Sequence, residues 1–381
     1  MRLTPEHEAF RATVRALVDR EINPAVDAWE AEGSFPAHEL FPRLAEVGLL
    51  GLEYDPADGG GGADHYYTLV ACEELGRVHA AGVSMAIGVQ SSMATPSLAT
   101  FGSPELRAQF LAPALAGRAV AAIAVTEPGA GSDVSAITTR AERDGDTWVI
   151  SGTKTFITNG QQADWVCLLA RTSPEGGYRG LSQIIVPTTT PGFRVARTLD
   201  KLGNRSSDTA ELVLDAVRVP VANTIGTPGR GFEQQMRQFV TERLTASYTV
   251  AAQCRHALER THTYLEARET FGSPLADKQY VAFTMAELSA KVDLLVSHNH
   301  QCADDVVAGL DVTRGATVAK LTAGRLAREV ADLCLQFHGG LGYMEENWTA
   351  RFFRDMRLAS IGAGADEVML KVLARLEGYP A

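Results

Sequence analysis

The chain has 381 residues, 45% of them hydrophobic and 21% charged, a balance that supports two or three domains with sizeable cores and excludes a disordered or fibrous chain. A formal charge of −11 repels nucleic acid and anionic membranes at long range, no apolar run approaches a membrane span, and Met1–Glu6 has no apolar stretch behind it. A cytoplasmic protein with neither nucleic acid nor membrane as partner is the expectation.

From Thr4 to about Arg118 the pattern is helical: Phe10, Val14, Leu17, Val18 and Ile22 recur at helix spacing behind Thr4 as N-cap and Pro5 at the first helical position. Gly59 to Gly62 make a loop between helices, either a linker or a mobile lid, and Ser103-Pro104 opens another helix. Between about Ala119 and Gly231 the period changes to strands at 147–150, 154–158, 165–170, 183–186 and 211–219, separated by Asp144-Gly145, 174–177 and Pro191-Gly192. No glycine or proline interrupts 232–271 or 275–308, and helical stretches follow at 316–337 and 366–376; helices this long pack side by side as a bundle. The expected division is an N-terminal helical domain over 1–118, a middle β domain over 119–231 and a helical bundle over 232–381, hence an α+β fold that is mainly α.

The five cysteines, Cys72, Cys167, Cys254, Cys302 and Cys334, lie far apart without CxxC spacing and read as core residues, not as a disulfide framework. His298 and His300 point to different faces of a helix and no HExxH occurs, so no metal site is expected.

The most informative stretch is AVTEPGAGSD, Ala124–Asp133, where an apolar run breaks into a glycine-bearing loop. Gly129 and Gly131 allow positive φ and close approach of backbone amides to a planar or anionic ligand, beside the Thr126 and Ser132 hydroxyls. Chemistry alone fits a tight structural turn as well as a cofactor cradle. No Walker or dinucleotide fingerprint is present.

AVTEPGAGSDVSA resembles the first signature of the acyl-CoA dehydrogenase flavoproteins, and the block Gln336–Tyr343 with Glu346, Arg351 and Asp355 is similar to their second. Arg268-Glu269-Thr270-Phe271-Gly272 with Lys278-Gln279 looks like a third family segment. On chemistry alone Gly339-Gly340 would be a helix C-cap and Arg268 a surface ion-pair residue. The resemblance covers essentially the whole chain and implies a helix, sheet, four-helix-bundle fold, a homotetramer, bound FAD and an acyl-CoA substrate.

The resemblance implies FAD contacts from Val125, Thr126, Gly131, Ser132, Phe156, Ile157 and Thr158, and, at a neighbouring subunit's FAD, from Arg268, Phe271, Gln279, Gln336, Gly339 and Gly340. Phe156 stands where tryptophan is common, and Ala365 where a hydroxyl residue is usual; Glu367 follows as a further cofactor contact. Ser132, Arg243 and Gly364 are implied substrate contacts.

Removing a proton α to a thioester needs a placed carboxylate, a polarised carbonyl and a hydride acceptor. Many members carry the base in the loop that here reads Ile361-Gly362-Ala363-Gly364-Ala365, and Ala363 offers only its backbone N–H to the thioester oxygen. The long-chain and isovaleryl-CoA branches place it on the first long C-terminal helix, and Thr241-Glu242-Arg243-Leu244 resembles their Glu-Arg motif, so Glu242 is the expected base. Its bland alternative is an exposed helical glutamate paired one turn away; Asp366 and Glu367 are competitors with a capping role.

The resemblance thus implies an FAD-dependent acyl-CoA dehydrogenase forming a trans-2-enoyl-CoA and passing electrons to an electron-transferring flavoprotein. Leu202–Leu214 is similar to the long-chain branch and favours a medium, long or branched acyl chain. The alternatives are an acyl-CoA oxidase, a dehydrogenase of carrier-protein thioesters in biosynthesis, and a non-catalytic flavin-binding relative associated with nucleic acid.

Overall fold

The computed structural model describes residues 3–380. The first helix, α1 (Pro5–Leu17), starts as expected: the Thr4 side chain accepts from the His7 amide, and the Thr4 backbone N–H donates to the His7 ring. The helices that follow include α2 (Ala37–Glu46), α3 (His65–Leu75), α4 (Ala81–Gly88) and α5 (Pro96–Phe101), with a π-helical stretch, Val89–Ala94, between the last two. Gly59–Gly62 folds back on the turn before it. Gly60, Gly61 and Gly62 donate to the carbonyls of Asp55, Gly51 and Tyr54, and a β-carbon on Gly60 would lie 2.2 Å from the Tyr54 oxygen.

Seven strands follow: β1 (Ala121–Ala124), β2 (Arg140–Asp144), β3 (Thr147–Thr158), β4 (Trp165–Arg171), β5 (Leu181–Pro187), β6 (Phe193–Thr198) and β7 (Thr209–Pro220). They form one sheet in the order β1-β4-β2-β3-β7-β6, with β5 on β4; β1 runs parallel to β4 and most other pairs are antiparallel. Two strand expectations merge. β3 runs unbroken through both segments because bulges at Ile150/Gly152 and Lys154/Ile157 absorb the irregularity near Gly152, where a β-carbon would strike Thr139.

The C-terminal part consists of α6 (Gly231–Ala267), α7 (Gln279–Val307), α8 (Thr313–His338) and α10 (Asp366–Leu376), with the short α9 (Trp348–Met356) between the last two. Helix α6 stops before Phe271, because Arg268 turns extended into a hairpin, Glu269–Thr270 with Ser273–Pro274. Its turn residues Phe271 and Gly272 have φ of 50° and 80°, the positive pair a tight right-twisted hairpin requires. The chain then makes a 3-10 turn, Leu275–Asp277, so α7 starts at Gln279, not at Leu275. The architecture is a mainly helical α+β fold, helices on both sides in sequence of one curled sheet. All five cysteines are buried and unpaired, and among the described residues no helix is long and apolar enough to cross a membrane.

One charged pair lies inside the sheet. Lys154, 0% exposed, reaches from β3 to the Val125 carbonyl at 2.8 Å and to Glu127 Oε1 at 2.9 Å. Glu127 also accepts from the Thr138 and Thr139 amides, at 2.7 and 2.9 Å. Burial alone would raise the Glu127 pKa, but Lys154 and these donors outweigh it and hold the carboxyl down at about 2. Lys154→Met strands the Glu127 charge in the interior, and an unfolding titration is expected to show a loss of about 3–5 kcal/mol; a loss within error of zero would remove this pair as the anchor of the loop.

Candidate active site

The glycine loop after β1 is built on that anchor. Glu127 and Ala130 exchange backbone bonds of 2.9 and 3.1 Å across the turn, and the Thr155 amide donates to the Thr126 carbonyl at 2.9 Å, tying the loop to β3. Neither Gly129 nor Gly131 adopts positive φ, contrary to expectation, because the Glu127–Ala130 pairing closes the turn in ordinary backbone regions. Their contribution is open space: a β-carbon on Gly129 would meet nothing within 4 Å, and one on Gly131 only the Thr126 methyl at 4.0 Å.

Next to this loop Phe156 occupies the β3 bulge at φ 60°, a costly conformation for a phenylalanine, with its ring 68% exposed. The neighbouring Ile157 side chain faces inward and is buried in the sheet core, so only its backbone is available to a ligand. The Thr126, Ser132 and Thr158 hydroxyls make no hydrogen bond among the described residues, and none is sealed off. The loop and the strand segment that carry these three free hydroxyls and the exposed ring are held side by side by the Thr155–Thr126 bond.

A cavity of about 500 Å³ lies between α3, α4, α5, α6 and α8. Thr241 and Gln253 both belong to its wall, twelve positions apart on α6, so it extends on the order of 18 Å along that helix. Leu49, Leu75, Met85, Met93, Val250 and Met356 make it mostly apolar, and Gly88 widens it, since a β-carbon there would meet nothing within 4 Å. At one end the wall includes Thr241, Thr245, Lys320, Gly362 and Ala363, which brings the α6 motif and the 361–365 turn together.

Glu242 sits between Thr241 and Thr245 on α6, beside the wall and not part of it. It is 6% exposed, and its carboxylate makes no hydrogen bond or ion pair among the described residues, which removes the exposed, paired alternative. Burial pushes its pKa up to about 7, against the opposing pull of Arg243 and Lys320. Arg243 is itself buried and places its guanidinium 5.9 Å from the Phe239 ring centre. Ala363 has φ 53° and Gly364 φ 96°, so the turn holds a strained non-glycine residue at the cavity wall. Ala365 is the N-cap of α10, Glu367 is exposed in its first turn, and Asp366 is buried there.

Arg268, Phe271 and Gln279 do not join this site. They are exposed at the far end of the bundle, where Tyr264 stacks on His338 with ring centres 4.1 Å apart and Tyr280 meets Phe337 edge-on. Gln336, Gly339 and Gly340 are exposed at the same end, and Gly339, at φ 60°, terminates α8. Two separate sequence blocks therefore make one surface, distinct from the Val125–Ser132 loop. Asp355 is buried, accepts from the Ala81 and Asn204 amides at 3.0 and 2.6 Å, and borders the cavity; Arg351 pairs with Asp27.

Sequence reasoning missed three residues of the site and its support: Glu127, Lys154 and Lys320. Each left a signal. Lys154 interrupts a strand pattern on its buried side, Glu127 stands inside the loop motif itself, and Lys320 falls on the small-residue stripe Ala316, Ala319, Ala323 and Ala327 that α8 buries.

The raised pKa of Glu242 carries a stability consequence. The folded carboxyl ionises near 7 and the unfolded one near 4.5, so the folded state loses stability as pH rises from 4.5 through 7, and the full cost persists above. Glu242→Gln removes an ionisation cost on the order of 3 kcal/mol at most. Thermal melts at matched cofactor content are expected to show the variant more stable than wild type at pH 8 and indistinguishable at pH 4.5; equal melting at pH 8 would contradict the burial of the charge.

The chain matches the family models for the acyl-CoA dehydrogenase N-terminal domain over residues 4–118, the middle domain over 122–217 and the C-terminal domain over 229–377. It is 34% identical over 375 residues to the probable acyl-CoA dehydrogenase YngJ of Bacillus subtilis, covering 98% of each chain. A putative acyl-CoA dehydrogenase from Mycobacterium smegmatis superposes with a TM-score of 0.97 at 39% identity, over 100% of this chain and 99% of that one. A glutaryl-CoA dehydrogenase from the same organism, solved in complex with FADH2, superposes with a TM-score of 0.93 at 29% identity, over 100% and 96% of the two chains. With three domain models matched in order along nearly its whole length, the chain belongs to the acyl-CoA dehydrogenase family and is an oxidoreductase of that family.

Proposed function

We propose that the protein is an FAD-dependent dehydrogenase that converts an acyl-CoA of medium to long or branched chain to its trans-2-enoyl-CoA, with Glu242 as base. The observation that carries the proposal is a buried carboxylate without a partner beside an apolar cavity whose wall also holds the Ala363 turn. A long alkyl tail suits such a cavity, since burying each methylene contributes about 0.8 kcal/mol. A carboxylate with a pKa of about 7 is half ionised near neutrality, where it can accept a proton from an acidified carbon without being permanently charged.

The residues present fit a flavin. Free hydroxyls on Thr126, Ser132 and Thr158, the open glycine loop and the exposed Phe156 ring give donors along an edge and an apolar surface for a planar ring. Val125 and Gly131 bring backbone to the same face, and Ala365 with Glu367 would add contacts from the 361–367 segment. Bound FAD supplies the hydride acceptor. The chain's own residues do the rest. Glu242 rotates from beside the wall to the α-carbon and takes its proton; Ala363 N–H donates to the thioester oxygen, where charge accumulates; Arg243, Ser132 and Gly364 hold the thioester and the CoA arm; the apolar wall excludes water, which keeps the carboxylate reactive.

The exposed surface of Arg268, Phe271, Gln279, Gln336, Gly339 and Gly340 suits contact with a second subunit's FAD. Arg268 offers a forked cation for phosphate oxygens and Phe271 an unburied ring. Assembly as a homotetramer and reoxidation by an electron-transferring flavoprotein belong to the same reading and rest there on family resemblance, while a cytoplasmic location is carried over from composition and charge.

Anaerobic addition of a panel of acyl-CoAs to the purified yellow protein is expected to bleach the flavin band, most completely with medium, long or branched chains, and to leave enoyl-CoA. Protein that takes up no FAD, or whose flavin no acyl-CoA reduces, would contradict the proposal. Rapid oxygen consumption would favour an oxidase, and reduction only by carrier-protein thioesters the biosynthetic alternative.

A further inference from the structure

Lys320 lies in the middle of α8, 3% exposed, on the stripe of small residues that the helix buries against its neighbours. A lysine there is costly, because an ammonium taken out of water loses its hydration unless other groups replace it. Its Nζ donates to the Gly364 carbonyl, and the residue is part of the cavity wall together with Thr241, Thr245 and Ala363. No carboxylate approaches it within 4 Å among the described residues, so this is not an ordinary buried ion pair.

The turn it holds is strained. Ala363 has φ 53° and Gly364 φ 96°, and a β-carbon on Gly364 would come within 2.6 Å of the Met369 methyl. Strained backbone persists only where its surroundings over-determine it, and a charge-assisted bond to the Gly364 carbonyl is such a constraint. Peptide planes are rigid, so fixing that carbonyl restricts the direction of the Ala363 N–H two planes away.

We infer that Lys320 is a positioning residue for proton removal: through the Gly364 carbonyl it aims the Ala363 amide at the thioester oxygen. The inference rests on the function proposed above. The groups facing Lys320 are Glu242 and Arg243 from α6 and Asp366 and Glu367 from α10. Burial lowers the lysine's own pKa to about 8, with Asp366, Glu242 and Glu367 opposing and Arg243 assisting, so it remains mostly protonated at neutral pH. Lys320 makes no hydrogen bond or ion pair with Glu242 among the described residues. It acts through the turn and through its field.

The test separates proton removal from flavin reduction. In 3,3-dimethylbutyryl-CoA the β-carbon bears no hydrogen, so the holoenzyme can exchange its α-hydrogens with D2O but cannot oxidise it. NMR of that exchange against pH is compared for wild type, Lys320→Met and Lys320→Arg, with FAD content and melting temperature as checks on folding. In Lys320→Met the plateau rate is expected to fall by about ten- to a hundredfold, and the rising limb of the profile to move up by about one pH unit. Lys320→Arg, which keeps the charge and a donor, is expected to restore both in large part. A Lys320→Met protein with wild-type rate and profile overturns the inference, as does a uniform loss of rate with an unmoved limb and no rescue by arginine. Should Lys320→Met fail to hold FAD, Lys320→Gln, which keeps a donor without charge, is expected to show the upward shift alone; an unmoved limb in that variant overturns the electrostatic part. Wild-type protein that exchanges nothing overturns the inference together with the proposed function, whereas exchanging wild type with unaffected variants overturns only the role of Lys320.

Discussion

The site depends on a carboxylate taken out of water without a partner. Glu242 is held at 6% exposure by a 37-residue helix whose neighbouring residues, Arg243 to Thr245, are also buried. No hydrogen bond compensates the lost hydration, and two cations compensate it only in part, so burial pushes the carboxyl pKa up to about 7. Folding into this arrangement is unfavourable locally, and the surrounding packing of α6 against α3, α7 and α8 must offset it. Local stability traded for a reactive group is the common pattern at catalytic centres.

Two buried lysines mark where the fold must hold backbone in fixed positions. Lys154 ties β3 to the loop carrying Thr126 and Ser132, through Glu127 and the Val125 carbonyl. Lys320 ties α8 to the turn carrying Ala363. Each stands beside a non-glycine residue with positive φ, Phe156 at 60° in one case and Ala363 at 53° in the other. Strain and its restraint occur together in both, which is why these segments can remain shaped before any ligand arrives.

Much of this was legible in the sequence, and the residues explain what was not. Long runs free of glycine and proline marked α6 and α7, helical periodicity alone marked α8, and Thr4-Pro5 and Ser103-Pro104 marked helix starts by cap chemistry. Strands β2 and β6 left no such mark: Arg140–Asp144 and Phe193–Thr198 are largely exposed, so their charged residues hide the alternation. The short α9 was unreadable for want of length. Burial of Glu242 was illegible too, since Thr-Glu-Arg on a helix has the composition of a solvated face, and only the packing of other elements around α6 makes it interior. Family motifs pointed to candidate site residues, but not to the place of Glu242 beside the cavity wall, nor to the open space around Gly129 and Gly131.

The central claim is that Glu242 is the group that takes the α-proton. Its most direct test is the rate of anaerobic flavin reduction by a saturating acyl-CoA in Glu242→Gln beside wild type, both carrying full FAD. Reduction slowed by several orders of magnitude, with acyl-CoA still bound, is the result this account requires; reduction at the wild-type rate would show that another residue removes the proton.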